Sequence, residues 1–452
     1  MPALVPARAT RASRTRPQGR RRRDLARDAR DAREARDVRA MPTSRIRPPP
    51  MTDTRVVTAP AGPPPARRSR WRTWPLLSAP VAWLVFVVLH RALSGRVWWW
   101  QAPELVPPLA FAVLPVLLLA VALPARRARG WIAAVTLASL VLGGGLSGLN
   151  PAALWHRPPP APPGAITVFS WNTLYWDMVT GGETMPPPTG TPARDVDDFY
   201  RYLHDQKADV YLLQEYIYFG PDSKAIRVDD LARLRREFPG YHVAAASEMV
   251  TVSRFPIVLE RGLDLRPWVS EKRDAVLPPD PGLPGFSVVK TLRTDVRVGG
   301  ESGNGGDGGN GGNGGNGGKI VSFYNTHINS PVHAFPPGLD PRRLNRTQHE
   351  RRRANLRALA ADVERNPHPV VLAGDFNASP AMGILRLLPD RLVDATLVLE
   401  SLYPTSWDDR WPLWRIDWAF TTPDVTVHRY GLVRSGGLSD HSGQRLVIST
   451  SG

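Results

Sequence analysis

The 452-residue chain contains no cysteine. Disulfide scaffolds, thiolate zinc sites, iron–sulfur clusters and thiol nucleophiles are therefore excluded, on whichever side of a membrane the chain lies. Acidic residues are scarce at its start: residues 1–73 hold 20 Arg, no Lys and six acids, a net charge of +14. Charge of either sign is nearly missing from residues 74–150, which carry five Arg and a single acid, Glu104. Residues 151–452 balance 33 basic against 34 acidic residues, a net of −1. The overall charge of +17 is thus a property of the N-terminus. It gives no global support for a nucleic-acid-binding cleft, which gathers Lys and Arg to neutralise phosphates. At about 150 residues per domain the length allows two or three domains, and 42% hydrophobic residues supply a core.

Composition divides the chain. Residues 1–73 are rich in Arg, Pro and Ala, with Pro48-Pro49-Pro50 and Pro63-Pro64-Pro65, and read as a disordered cytoplasmic tail. Within it, residues 24–39 alternate Arg with acids at a spacing compatible with a solvated helix, and Met41 and Met51 leave the translation start open. Three apolar stretches follow, at 74–93, 105–123 and 131–149. Each approaches the roughly 20 residues that a helix needs to cross about 30 Å of hydrocarbon, so residues 74–150 read as three transmembrane helices. Trp98-Trp99-Trp100 and Trp131 fit an interfacial aromatic belt. The Arg-rich tail and Arg126-Arg127-Arg129 place those segments in the cytoplasm. Residues 94–104 and everything beyond 151 then lie outside. Residues 151–164 form a Pro-rich linker, whose run at 157–163 reads as a semi-rigid spacer holding the next domain off the bilayer.

From residue 165 to 452 the pattern is globular. Strand-like runs lie at 166–171, 209–214, 287–298, 320–326, 369–374, 415–421 and 445–448, with a hairpin at 241–253. Helical patterns lie at 196–206, 229–238 and 342–365, and residues 299–318, mostly Gly and Asn, read as an elongated hairpin loop. Many strands with few helices indicate an α+β layered sandwich rather than a regular doubly wound sheet.

The polar residues that stand out close apolar strands. Asn172 follows Val168-Phe169-Ser170-Trp171, and Glu215 follows Val210-Tyr211-Leu212-Leu213-Gln214. His327 follows Val321-Ser322-Phe323-Tyr324-Asn325-Thr326, and Asp375 and Asn377 follow Val370-Val371-Leu372-Ala373-Gly374. Asp417 follows Arg415-Ile416, and Asp440-His441 follows Gly437-Leu438-Ser439. Strand ends converge at one rim of a sheet, and these residue types bind a hard cation and manage protons. Each alone is an ordinary turn, capping or surface residue; six such placements in order are not. If 375–377 stays extended, Asp375 and Asn377 point one way and Phe376 the other.

Ser170-Trp171-Asn172-Thr173-Leu174, Gln214-Glu215, Thr326-His327, Gly374-Asp375-Phe376-Asn377, Arg415-Ile416-Asp417-Trp418 and Ser439-Asp440-His441 together resemble the motif series of the endonuclease/exonuclease/phosphatase superfamily, the DNase I-like group. Ser253-Arg254-Phe255-Pro256-Ile257 is similar to a further segment of that series. Three spans before such a domain also resemble the membrane-anchored actinobacterial, VanJ-like branch. The resemblance covers about residues 165–450. It implies a four-layered α/β sandwich and metal-dependent attack of water on phosphorus, with Mg²⁺ or Mn²⁺ as cofactor. It also implies residue roles. Glu215 is the principal metal ligand with Asn172 beside it, and Asp440 adds a carboxylate on the metal side. Asp375 orients or deprotonates the water, and Asn377 holds the water or a phosphate oxygen. His327 donates to the phosphate, and His441, aligned by Asp417, contacts the scissile group. An acidic or tyrosine residue expected between Glu215 and His327 has two candidates, Tyr241 and Glu248. An insert at 178–192 and the long glycine tract depart from the pattern.

Three functions are compatible with these residues. The first is a phosphoesterase at the outer membrane face, acting on a phosphate ester or pyrophosphate of a lipid-linked carrier, with the bilayer as partner. The second is an anchored nuclease, for which Arg342, Arg343, Arg346 and Arg351-Arg352-Arg353 offer a local basic face. The third, a non-catalytic binding module, is opposed by the intact motif series.

Overall fold

The computed structural model of the chain describes residues 74–122, 129–176, 196–219, 225–269, 283–299, 318–331, 340–408 and 412–451. The tail, the insert at 178–192 and nearly all of the glycine tract lie outside these residues.

The apolar stretches form helices α1 (Trp74–Leu93), α2 (Ala110–Ala122) and α3 (Arg129–Gly143). The expectation of three full membrane spans is not met. Among the described residues, only Arg129–Leu146 is long and apolar enough to cross a membrane. A second span arises if Trp98–Leu105 and Ala110–Ala120, bent by 62°, are taken as one. Pro107 and Pro108 precede the first turn of α2, of which 13 residues are described, about 20 Å at 1.5 Å each. Among the described side chains of α1 the apolar stretch is Ser78–Leu93. The outer faces of the three helices are nonetheless apolar and exposed, at Val85 and Val88, Val116 and Leu117, and Leu137 and Val141.

The expected stand-off is also absent. One end of the helices is fastened to the following domain. His90 Nε2 lies 2.8 Å from the Ala381 carbonyl oxygen, and Gly383 N donates to Ser94 Oγ at 2.7 Å. Arg353 Nη1 donates to the Gly95 carbonyl, and Gln101 Nε2 to that of Asn345, both at 2.6 Å. Val87, Phe111 and Leu146 cluster with Ala381.

The strands, in chain order, are β1 (Ile166–Asn172), β2 (Val210–Gln214), β3 (Ile217–Phe219), β4 (Ala225–Arg227), β5 (His242–Ala246), β6 (Met249–Ser253) and β7 (Ile257–Asp264). They continue with β8 (Val289–Val298), β9 (Lys319–His327), β10 (Val370–Asp375), β11 (Val393–Asp394), β12 (Asp417–Thr421), β13 (Val425–Val433) and β14 (Gly443–Thr450). Two six-stranded sheets result, ordered β13-β14-β1-β2-β6-β5 and β11-β12-β10-β9-β8-β7. Each is built around one parallel pair, β1 with β2 and β9 with β10, flanked by antiparallel strands.

The period of two along each strand makes the layers. Val168, Val210, Leu212, Phe323, Val371, Ala373 and Ala419 fill the space between the sheets. Their neighbours Phe169, Trp171, Tyr211 and Leu213 face outward onto Phe199 and Leu203 of α4 (Val196–Asp205) and Leu234 of α5 (Leu231–Glu237). On the other side Tyr324, Val370 and Leu372 meet Leu356, Leu359 and Val363 of α6 (Pro341–Arg365). The fold is the expected α+β sandwich of helix, sheet, sheet and helix.

Candidate active site

Parallel strands end at the same rim at which their antiparallel neighbours begin. β1 and β2 run side by side to Asn172 and Gln214, and β9 and β10 to His327 and Asp375. β12 enters antiparallel with Asp417 opposite Asp375. β6 and β8, antiparallel to β2 and β9, begin just after Glu248 and at Val289. β14 begins just after His441. Asn172, His327, Asp375 and Asp417 keep the parity of Val168, Phe323, Ala373 and Ala419, so their side chains turn into the gap between the sheets. Just below, Gln214 Nε2 donates to Asn325 Oδ1 at 2.7 Å and ties one sheet to the other.

Two backbone positions make this geometry. At Gly374 (φ +150) a Cβ would stand 2.0 Å from the Thr326 carbonyl oxygen, so only glycine lets β10 lie this close to β9. Glu215 leaves β2 in the left-handed region (φ +62). This turn brings its carboxylate to the Tyr175 backbone N–H (3.0 Å) and to Asn172 Nδ2 (3.1 Å). Asn172 Nδ2 also donates to Asp375 Oδ2 at 3.1 Å, while its Oδ1 accepts from the Leu174 N–H.

Two imidazole–carboxylate pairs flank Asp375, and each pair spans both sheets. His441, entering β14, has Nδ1 at 2.9 Å from Asp417 Oδ2 of the second sheet. His327, closing β9, has Nδ1 at 3.2 Å from Glu248 Oε1 of the first. Their Nε2 atoms stand 3.8 and 3.7 Å from Asp375 Oδ2. Burial alone would lower the pKa of His441, but Asp417 and Asp375 outweigh it and hold the ring well above the usual range. Burial opposes the charge on His327 too, and Glu248, Asp375 and Glu215 raise it to about 9. Glu248 would be raised by burial, yet Lys290 and His327 bring it down to about 2. Glu215 and Asp375 are both raised by burial, against the pull of the neighbouring imidazoles.

The six expected motifs therefore come together at one place, with two refinements. Asn377 is not extended: it takes φ +48, and its N–H and Nδ2 fold back onto Asp375 Oδ1 (2.7 Å) and Oδ2 (3.0 Å). Phe376 still points away, into the core under α6. Of the two candidates between Glu215 and His327, Glu248 is in the site, whereas the Tyr241 hydroxyl donates to the Ala208 carbonyl at the far end of the sheet. The segment 253–257 is also remote: Ser253 lies opposite Val210 at the beginning of β2. Lys290, paired with Glu248, was not anticipated, although a lone Lys entering an apolar strand was a readable signal. Trp407, whose Nε1 donates to Asp440 Oδ2 at 2.9 Å, carried no such signal.

Glu215, Glu248, Asp375, Asp417 and Asp440 have Lys290, His327 and His441 as ion-pair partners among the described residues, and Arg352 also acts on Asp375. The excess is negative even with both imidazoles charged. Asp440 Oδ1 is buried and makes no hydrogen bond. Oxygen and imidazole donors around excess negative charge fit a hard divalent cation. Asp375, Asp417 and His441 also offer ligand atoms within 4.8 Å of one another, but Asp417 and His441 already satisfy each other.

The endonuclease/exonuclease/phosphatase family model matches residues 169–441, from β1 to the histidine of the last motif. The chain belongs to that family. Membership carries hydrolysis of phosphate esters or nucleic acids as the class of activity, and it does not single out the membrane-anchored branch. Similar solved structures include an endonuclease/exonuclease/phosphatase from Bacteroides vulgatus, 14% identical with a TM-score of 0.41, covering 64% of this chain and 99% of that one. They also include the Bacteroides thetaiotaomicron mannosyl-6-phosphatase (15%, TM-score 0.40, covering 63% and 99%). A third is the human Nocturnin catalytic domain (15%, TM-score 0.38, covering 64% and 96%). No curated protein matches the chain.

Proposed function

We propose that this family member is a membrane-anchored, metal-dependent phosphoesterase whose catalytic domain works at the outer face of the membrane on a phosphate ester or pyrophosphate carried by a lipid. The observation that carries the chemistry is the pair of cross-sheet imidazole–carboxylate couples flanking Asp375. Glu215 and Asp440 would hold Mg²⁺ or Mn²⁺, which offsets charge developing on the phosphoryl oxygens and lowers the pKa of water. Asn172 holds Glu215 and Asp375 in register. Asp375, raised by burial, accepts the proton of the attacking water, and Asn377 fixes its two oxygens. His441, kept protonated by Asp417, donates to the scissile phosphate through Nε2. His327, kept protonated by Glu248, donates to a second phosphate oxygen.

The anchor reading is supported by the exposed apolar faces of the three helices. The hairpin at 94–105 and the end of α3 also meet the catalytic domain at the same end of the bundle, as the outward topology requires. The nuclease alternative loses two of the six arginines of its basic face. Arg352 is buried and donates through Nη2 to the Asn377 carbonyl (3.0 Å), and Arg353 is spent on the Gly95 carbonyl.

The test uses the full chain in detergent, offered a lipid pyrophosphate, plasmid DNA and a generic phosphodiester with Mg²⁺ or EDTA. Lipid turnover abolished by EDTA is expected, and metal-dependent DNA cleavage with the lipid untouched would overturn the assignment. A C-terminal reporter active only in the cytoplasm should stay silent in cells.

A further inference from the structure

We propose that the cleft between the end of α3 and the edge of the second sheet binds the phosphate-bearing headgroup of an anionic membrane lipid. The proposal rests on the reading that the helices lie in a bilayer. The cleft has a volume of about 430 Å³. Leu149, Asn150 and Trp155 line one wall, and Asp394, Leu397, Arg415 and Trp418 the other. The walls are tied together rather than merely adjacent. Asn150 Nδ2 donates to the carbonyls of Thr396 (2.9 Å) and Leu399 (2.8 Å), and its backbone N–H donates to Leu402 (2.8 Å).

Arg415 supplies the anion-binding group. It is 6% exposed, its guanidinium lies 3.7 Å from the centre of the Trp418 ring, and its Nε and Nη1 have no hydrogen-bond partner among the described residues. Asp394 Oδ2 forms an ion pair with Nη2 at 3.6 Å, beyond hydrogen-bond distance, and leaves Nε and Nη1 unengaged. Unmatched donors on a buried charged group are costly, and a phosphate oxygen relieves that cost in the way a guanidinium favours. The rim selects the rest of the ligand. Leu149, Trp155 and Leu397 are 45%, 67% and 53% exposed, and they extend the apolar surface of α3 up to the mouth of the cleft. The open donors of Arg415 below an apolar lip fit an amphiphile whose phosphate meets Arg415 and whose chains run back along α3.

The full chain would be reconstituted in bilayer discs of mixed phosphatidylglycerol and phosphatidylcholine, released, and its retained lipids counted by native mass spectrometry. Wild type should favour phosphatidylglycerol by about tenfold, and Arg415→Gln should abolish the preference. Trp155→Ala and Leu397→Ser, at exposed positions that folding tolerates, should reduce retention of both lipids. Equal preference in wild type and Arg415→Gln, or retention unmoved by both rim variants, would overturn the site. Displacement of the lipid by millimolar inorganic phosphate in wild type alone supports the shared chemistry. Binding of inorganic phosphate with no lipid retained overturns the lipid assignment. Release of the protein from cell membranes by alkaline carbonate would instead remove the anchoring reading, and the lipid with it.

Discussion

Asp417→Asn separates two readings of the most buried corner of the site. In one, Asp417 keeps His441 protonated; in the other, Asp375, Asp417 and His441 hold the metal ion. The carboxylate lies 2.9 Å from His441 Nδ1. With an effective dielectric of about 20, opposite unit charges at that distance attract by roughly 6 kcal/mol. An asparagine oxygen can still accept the Nδ1 hydrogen, so the variant keeps a hydrogen bond and loses the charge. Burial then pulls His441 back toward 6.5 or below, with Asp375 and Asp440 opposing it. For a value near 6.5, about 3% of the imidazole is protonated at pH 8 and about three-quarters at pH 6.

The rate should therefore fall roughly 30-fold at pH 8 but only about 1.3-fold at pH 6, moving the alkaline limb of the profile down. Stability follows the same sign. A histidine raised in the folded state contributes fully below its unfolded value near 6.5 and loses that contribution as pH rises through the folded value. Wild type should thus lose stability on the alkaline side more steeply than the variant. The assay is the pH–rate profile of both forms on a generic phosphodiester, repeated over a Mg²⁺ titration. An equal loss of rate at every pH, or a large rise in the metal concentration needed for half-maximal rate, would refute the reasoning and return Asp417 to the metal.

Three further outcomes are expected. Gly374→Ala should cost roughly 3 kcal/mol or more in urea unfolding, because the added Cβ meets the Thr326 carbonyl oxygen at 2.0 Å and nothing there is a flexible side chain. Glu248→Gln should cost about 3–5 kcal/mol by leaving Lys290 buried without its partner, and adding Lys290→Met should restore most of it. Because Glu248 is depressed to about 2, its contribution is present above about pH 4.5 and is lost as pH falls toward 2. Residues 160–452 expressed alone should melt lower than the full chain and turn over substrate more slowly, since the cut strips His90, Ser94 and Gln101 from Ala381, Gly383 and Asn345.

The candidate site residues legible in the sequence were those that motifs mark at the ends of strands, and the layered α+β class followed from counting strand-like runs. What stayed hidden is the other half of the same rim. An antiparallel strand brings its first residue to the edge where its parallel neighbour finishes. Glu248 and Lys290 therefore stand beside His327 because β6 runs against β2 and β8 against β9. Pairing direction is not written in local periodicity, so Tyr241 and Glu248 looked equivalent although they sit at opposite ends of one hairpin. The helices show the converse limit. Apolar composition was plain, but the polar residues of the hairpin find partners some 240 to 290 positions away.

Those distant partners make the N-terminal helices part of what holds the site. Glu104 accepts from Ser94 Oγ (2.8 Å) and the Gly95 N–H (2.6 Å), which shapes the hairpin. The hairpin then receives Arg353 on the Gly95 carbonyl and Gly383 on Ser94 Oγ. One residue before Arg353, Arg352 crosses to the Asn377 carbonyl, and Asn377 in turn holds both oxygens of Asp375. Burial lowers the pKa of Arg352 to about 10, with the carboxylates of Glu104 and Asp375 opposing that shift from either side. A loop in the left-handed region, as Asn377 is, persists only where its surroundings over-determine it, and here those surroundings include residues drawn from between the first two helices. A spacer would have left the domain to hold its own catalytic loop; direct docking makes the geometry of Asp375 depend on the helices being in place.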